Sequence, residues 1–129
     1  MSDFLDSYEI SLPKNLKNPT KDFTKAAAFS GELGLLQELR QLNPPCPWDE
    51  MTCAAASMNG HLDILQWALE NGCPCDKYTY IYAAMNGHSN ILDWIIRNTP
   101  EYADVLISFI KQIATNHQDV IDWLKKKYP

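Results

Sequence analysis

Two stretches of this chain are copies of each other, and a tandem copy restricts the possible folds more than any other feature of the sequence. CPWDEMTCAAASMNGHLDILQWALENG, from Cys46, is followed without a gap by CPCDKYTYIYAAMNGHSNILDWIIRNT, from Cys73. At an offset of 27 residues, identities fall at Cys46/Cys73, Pro47/Pro74, Asp49/Asp76, Thr52/Thr79, Ala56/Ala83 and Met58/Met85. They continue through Asn59/Asn86, Gly60/Gly87, His61/His88, Leu65/Leu92, Trp67/Trp94 and Asn71/Asn98. A unit this short cannot enclose its own apolar face; it does so by stacking on its neighbours, which makes a solenoid.

Weaker copies flank the pair. Upstream, KAAAFSGELGLLQELRQLNPP aligns at an offset of 29, with Gly31 on Gly60 and Leu36 on Leu65; the extra residues fall in the Asn43-Pro44-Pro45 loop. Downstream, NHQDVIDWLKKKYP aligns at an offset of 29, with His117 on His88 and Trp123 on Trp94. Asn116 replaces the turn glycine, as the next-best residue for a left-handed backbone. The spacing predicts about four units, 20–45, 46–72, 73–98 and 99–127, behind an N-terminal extension or cap at 1–19.

Each unit reads as a helix pair. Asp49 and Asp76 stand at N-cap positions, where a carboxylate accepts from otherwise orphaned backbone N–H groups. First helices are expected at Glu50–Met58 and Lys77–Met85, with Ala54-Ala55-Ala56-Ser57 small enough for a neighbouring helix to approach closely. Asn59-Gly60 and Asn86-Gly87 end them, the glycines supplying positive φ. Apolar residues then recur at helical spacing, Leu62, Ile64, Leu65, Ala68 and Leu69 in one copy and Ile91, Leu92, Ile95 and Ile96 in the next. Asn71-Gly72 closes the first copy, whereas Thr99-Pro100 closes the second and opens the following helix. The fold class is all-α, a short-loop solenoid of helix-turn-helix units.

This register of Ala-Ala, Asn-Gly-His, Ile-Leu and Asn-Gly resembles the ankyrin repeat, strongly over 46–98 and more weakly over 20–45 and 99–127. It is most similar to the shortened Cys-Pro-Trp-Asp and Asn-Gly-His variety expanded in giant DNA viruses, algae and oomycetes. Two departures stand out. Met51-Thr52-Cys53-Ala54 occupies the place of the family's Thr-Pro-Leu-His start, and the loops are short enough that a tight turn is expected instead of a β-hairpin finger. The resemblance implies an adaptor that binds a protein partner through its concave face, or else a structural or cement component of a larger assembly such as a virus particle.

Charge narrows the partner. The chain carries a formal net charge of −5, and residues 26–110 hold ten acids against Arg40, Lys77 and Arg97. Such a surface repels phosphate backbones, whose binding needs clustered Lys and Arg, so no nucleic-acid partner is expected. No apolar run reaches the roughly 20 residues that cross a bilayer, and the acidic N-terminus does not read as a secretory signal, so neither a membrane nor secretion is expected. A cytoplasmic protein is expected, in the host cytoplasm if the chain is viral. Lys125-Lys126-Lys127 suits the negative end of a terminal helix.

Enzymatic chemistry finds no support. A thiol nucleophile needs Cys and His in reach with an orienting group. Instead, His61/His88 and Cys46/Cys73 are copied with the unit, which indicates structural work. Cys46, Cys53, Cys73 and Cys75 are expected as reduced thiols, because the core is large enough without staples. Structural zinc uses four ligands; here Cys73-Pro74-Cys75 lacks a complementary pair, so no metal and no cofactor are expected. Trp67, Trp94 and Trp123 fall at one repeat position and are expected to fill the joints of the stack.

The binding surface is expected where the two good copies diverge, since framework positions agree. Carried from the ankyrin family position by position, it comprises Trp48, Glu50, Met51, Met58 and Asn59 from one unit, with Lys77, Tyr78, Met85 and Asn86 from the next. Trp, Tyr and Met suit interface anchors, and self-association is left open. Tyr80 and Tyr82 are the positions where packing between helices competes with exposure.

Overall fold

The computed structural model describes residues 19–113 and 116–128. The expected role of 1–19 as a cap therefore lies outside the described residues. Among those described are eight α-helices and no strand. They run as pairs: α1 (Lys21–Phe29) with α2 (Leu33–Gln41), α3 (Glu50–Met58) with α4 (Leu62–Glu70), α5 (Tyr78–Met85) with α6 (Ser89–Asn98), and α7 (Ala103–Ile113) with α8 (Gln118–Lys127). The ankyrin-like, all-helical expectation holds. The short loops hold too, as Gly72–Asp76 passes between pairs without forming a hairpin.

Local chemistry sets the helix starts. The Thr20 hydroxyl accepts from Asp22 N at 3.3 Å, and Asp49 Oδ1 accepts from Met51 N at 2.9 Å. Asp76 Oδ1 accepts from Tyr78 N at 3.0 Å. The last of these helices begins at Tyr78, one residue later than the spacing predicts, with Lys77 at its N-terminal boundary. Pro100 also differs from expectation: it opens a single 3₁₀ turn, Pro100–Tyr102, before α7.

The helix ends repeat as faithfully. Gly31, Gly60 and Gly87 have φ of 77°, 76° and 77°. The next residue's N–H reaches back into the helix just ended, from Glu32 to Ala27 O, His61 to Ala56 O and His88 to Ala83 O, at 2.8–2.9 Å. This is the Schellman closure, which satisfies carbonyls that a helix end would leave orphaned.

First helices form the spine of the stack, α1 against α3, α3 against α5 and α5 against α7. Ala27, Ala28, Ala54, Ala55, Ala56, Ala83 and Ala84 are buried along it. Their small side chains let the backbones approach. Second helices close the other side with Leu36, Leu39, Ile64, Leu65, Ile91 and Leu92, each worth about 1.5–3 kcal/mol when fully buried. Trp67, Trp94 and Trp123 pack against this core as expected, but each remains half-buried.

Candidate functional site

The repeat places equivalent residues in rows across the spine. α3 and α5 each show three positions on one face, at i, i+4 and i+7. In α3 these are Met51, the buried Ala55 and Met58; in α5 they are Tyr78, Tyr82 and Met85. The α5 set forms an apolar stripe. Tyr78 is 41% exposed and Met85 51% exposed, and the rings of Tyr78 and Tyr82 stack with centroids 5.8 Å apart. The Lys77 ammonium lies 5.7 Å from the Tyr78 centroid. Phe29, at the α1 position equivalent to Met58 and Met85, is 45% exposed.

Most of the residues expected at a binding surface lie on or beside this face. Met51 and Met58 are half-buried on α3, Glu50 opens that helix, and Lys77, Tyr78 and Met85 are exposed on or next to α5. Asn59 and Asn86 are exposed at the turns but hold structural bonds as well. Asn59 Nδ2 donates to Phe29 O at 2.7 Å, and Asn86 Nδ2 donates to Tyr82 O at 2.8 Å.

Trp48 is placed elsewhere. The Arg40 guanidinium sits 4.1 Å over its ring, and Trp67 meets it edge-on at 5.8 Å. It lines an open cleft of about 400 Å³ with Gln37, Arg40, Gln41, Trp67 and Asn71, on the second-helix side. Trp48 therefore wedges the joint between α2 and α4, and the structure does not bring it together with Tyr78. The register explains this: Trp48 aligns with Cys75 in the loop, whereas Tyr78 aligns with Met51 in the helix.

Tyr82 and Phe29 were not among the expected surface residues. Tyr82 follows Tyr78 by four residues, and Phe29 follows from the 29-residue offset, so both signals were present in the sequence. Tyr80 is turned to the core and meets Phe109 edge-on at 5.7 Å.

The copied histidines do structural work. A side chain on Gly31 would place its Cβ 2.7 Å from the His61 ring, and one on Gly60 would fall 2.8 Å from the His88 ring. Each imidazole thus packs onto the turn of the preceding unit. The His88 Nε2 also bonds Met58 O at 3.0 Å. The copied cysteines repeat a contact of their own: Cys46 Sγ donates to Thr20 O at 3.3 Å and Cys73 Sγ to Asp49 O at 3.5 Å.

The remaining thiols meet at the α3–α5 joint. Cys53 is fully buried on α3. The influence of the Cys73 and Cys75 thiols, then burial, pushes the Cys53 thiol up and holds it protonated. Cys75 goes the other way, lowered to about 7, chiefly because the Cys53 S–H donates to its thiolate, with Thr79 also donating; burial and Asp76 oppose the shift. Burial raises the Cys46 thiol, partly offset by Arg40 and by a backbone hydrogen bond at Thr24. All four thiols are free. Among the described residues, no three His, Cys, Asp or Glu side chains are arranged to hold a metal ion, and no helix is long and apolar enough to cross a membrane.

Comparison with known proteins adds one finding. Residues 51–96, the α3–α6 block that carries the Met and Tyr positions, match the family model described as ankyrin repeats in many copies. No curated protein and no solved structure matches the chain.

Proposed function

We propose that this chain, which is an ankyrin-repeat protein, acts without catalysis, as an adaptor that binds a protein partner on the face of its first helices. The observation that carries the reading is the stripe of exposed Tyr78 and Met85 with half-buried Tyr82 between them, extended across the spine by half-buried Met51 and Met58 and exposed Phe29. Large, soft apolar side chains on a rigid scaffold suit interface anchors. They occupy a segment with seven more acids than bases, which favours a partner whose apolar anchors are flanked by Lys or Arg. Residues 20–127 act as one repeat domain in this reading, in the cytoplasm, with neither nucleic acid nor membrane as partner.

Capture with the immobilised full chain tests it. Proteins retained by wild type and lost from a Tyr78→Ala/Met85→Ala variant of unchanged helicity are the expected outcome. Equal retention by both forms refutes the assigned face. Recovery only at fixed stoichiometry within purified particles points instead to a structural component of an assembly, viral or otherwise.

A further inference from the structure

The cleft on the second-helix side has no part in the first-helix face, and its chemistry is that of an anion receptor. Arg40 stands in the last turn of α2. Its Nη1 donates to Cys46 O at 2.6 Å, and its guanidinium lies 4.1 Å over the Trp48 ring. These two contacts orient the guanidinium plane yet engage only one of its nitrogens. Among the described residues no carboxylate pairs with Arg40, so the Nε and Nη2 donors remain for a ligand. Trp48 and Trp67, an edge-on pair with centroids 5.8 Å apart, are half-buried and offer indole surface to the cleft. Gln37 and Gln41 line it as well, each carrying amide N–H donors. The repeat does not demand this arrangement. In the two central copies Leu69 and Ile96 stand at the Arg40 position, and Cys75 stands at the Trp48 position. The cation and its aromatic seat are therefore not framework copied with the unit.

We propose that this cleft binds a carboxylate carried on a flat apolar body, either a free aromatic acid or the C-terminal residue of a peptide. The planar fork of Arg40 matches the two oxygens of a carboxylate, and the apolar body lies against the indoles. A volume of about 400 Å³ accommodates a ligand of this size. The surrounding charge selects against phosphate. Residues 26–110 hold ten acids and three bases, Arg40 among the three. One guanidinium neutralises a monoanion, whereas a dianion keeps a charge that the acidic surroundings repel.

Titration of the isotope-labelled full chain, read at the indole N–H signals of Trp48, Trp67, Trp94 and Trp123, tests the proposal. Phenylacetate represents the free acid and acetyl-Ala-Ala-Phe the peptide end; phenylacetamide and inorganic phosphate are the controls. Both acids should move the Trp48 and Trp67 signals and leave those of Trp94 and Trp123 in place. Tighter binding of the peptide supports a C-terminal source, and tighter binding of phenylacetate supports a small acid. The amide and phosphate should bind at least about ten-fold more weakly, the loss expected for a charge-assisted hydrogen bond. Arg40→Lys keeps the charge but loses the fork, and should weaken both acids by about ten-fold. Should that variant fail to fold, the comparison of acid with amide on wild type reads the same contact. No shift with either acid at millimolar concentration, an amide or phosphate that binds as well, equal movement of all four indole signals, or unchanged affinity in Arg40→Lys overturns the proposal.

Discussion

Substituting Gly60 by Ala should be much more damaging than the same change at Gly72, although both glycines have positive φ. Gly60 sits at φ +76° and Gly72 at φ +86°. A non-glycine residue pays about 1–2 kcal/mol for the left-handed backbone at either site. At Gly72 nothing lies within 4 Å of the added Cβ, so the cost should stop there. At Gly60 the Cβ would fall 2.8 Å from His88 Nδ1 and 2.9 Å from Cε1. The imidazole must move, and its bond to Met58 O is lost, adding about 1–2 kcal/mol for a partly buried hydrogen bond and its packing. The expected totals are about 2–4 kcal/mol at Gly60 and about 1–2 kcal/mol at Gly72. Urea unfolding followed by circular dichroism measures both. A double-mutant cycle with His88→Ala should recover part of the Gly60 penalty, since the ring is then absent. Equal destabilisation at the two glycines, or strict additivity in the cycle, would refute the idea that the histidine packs on the turn.

Four further outcomes are expected. Ser57→Ala should stabilise by about 0.5–1.5 kcal/mol in the same urea assay, because the Ser57 hydroxyl is buried without a hydrogen-bond partner among the described residues, and Ala28 and Ala84 fill the equivalent positions. Trp48→Ala should cost about 2 kcal/mol, from the lost edge-on ring pair, the Arg40 stack and partial burial, whereas Tyr78→Ala should stay within about 0.5 kcal/mol of wild type. Cys75, lowered to about 7 from an ordinary value of 9.0, should make stability rise with pH between those two values, because the unfolded chain there binds the extra proton; Cys53 and Cys46, both raised, should make it fall above about pH 9. The rising limb should vanish in Cys75→Ser when melting is recorded across that window. Asp49→Ala should cost about 1 kcal/mol through the lost N-cap, with little added by its 3.2 Å ion pair to the exposed Lys21.

The repeat made most of the architecture legible. Caps, turns and apolar spacing recur, so each unit confirms the reading of the next, and helices α3 and α5 lie within a residue of their expected limits. What the sequence did not reveal depends on contacts between units. Periodicity explained Gly60 by its backbone alone; that His88 of the next unit rests on it is a matter of stacking. Trp48 read as a surface aromatic because the copies diverge there, but divergence marks a position as unconstrained by the repeat without saying which side of the stack it faces. The loop position of Trp48 carried its ring toward Arg40 and Trp67, while one helical turn aligned Tyr78 with Tyr82.

The most direct test of the interaction face is hydrogen–deuterium exchange on the full chain, alone and with its captured partner bound. Amides of α3 and α5, and the loops that lead into them, should gain protection, while those of α4 and α6 should exchange as in the free chain. Protection confined to α4 and α6, or centred on the Trp48 cleft with the Tyr78 and Met85 turns unchanged, would contradict the assignment of the first-helix face.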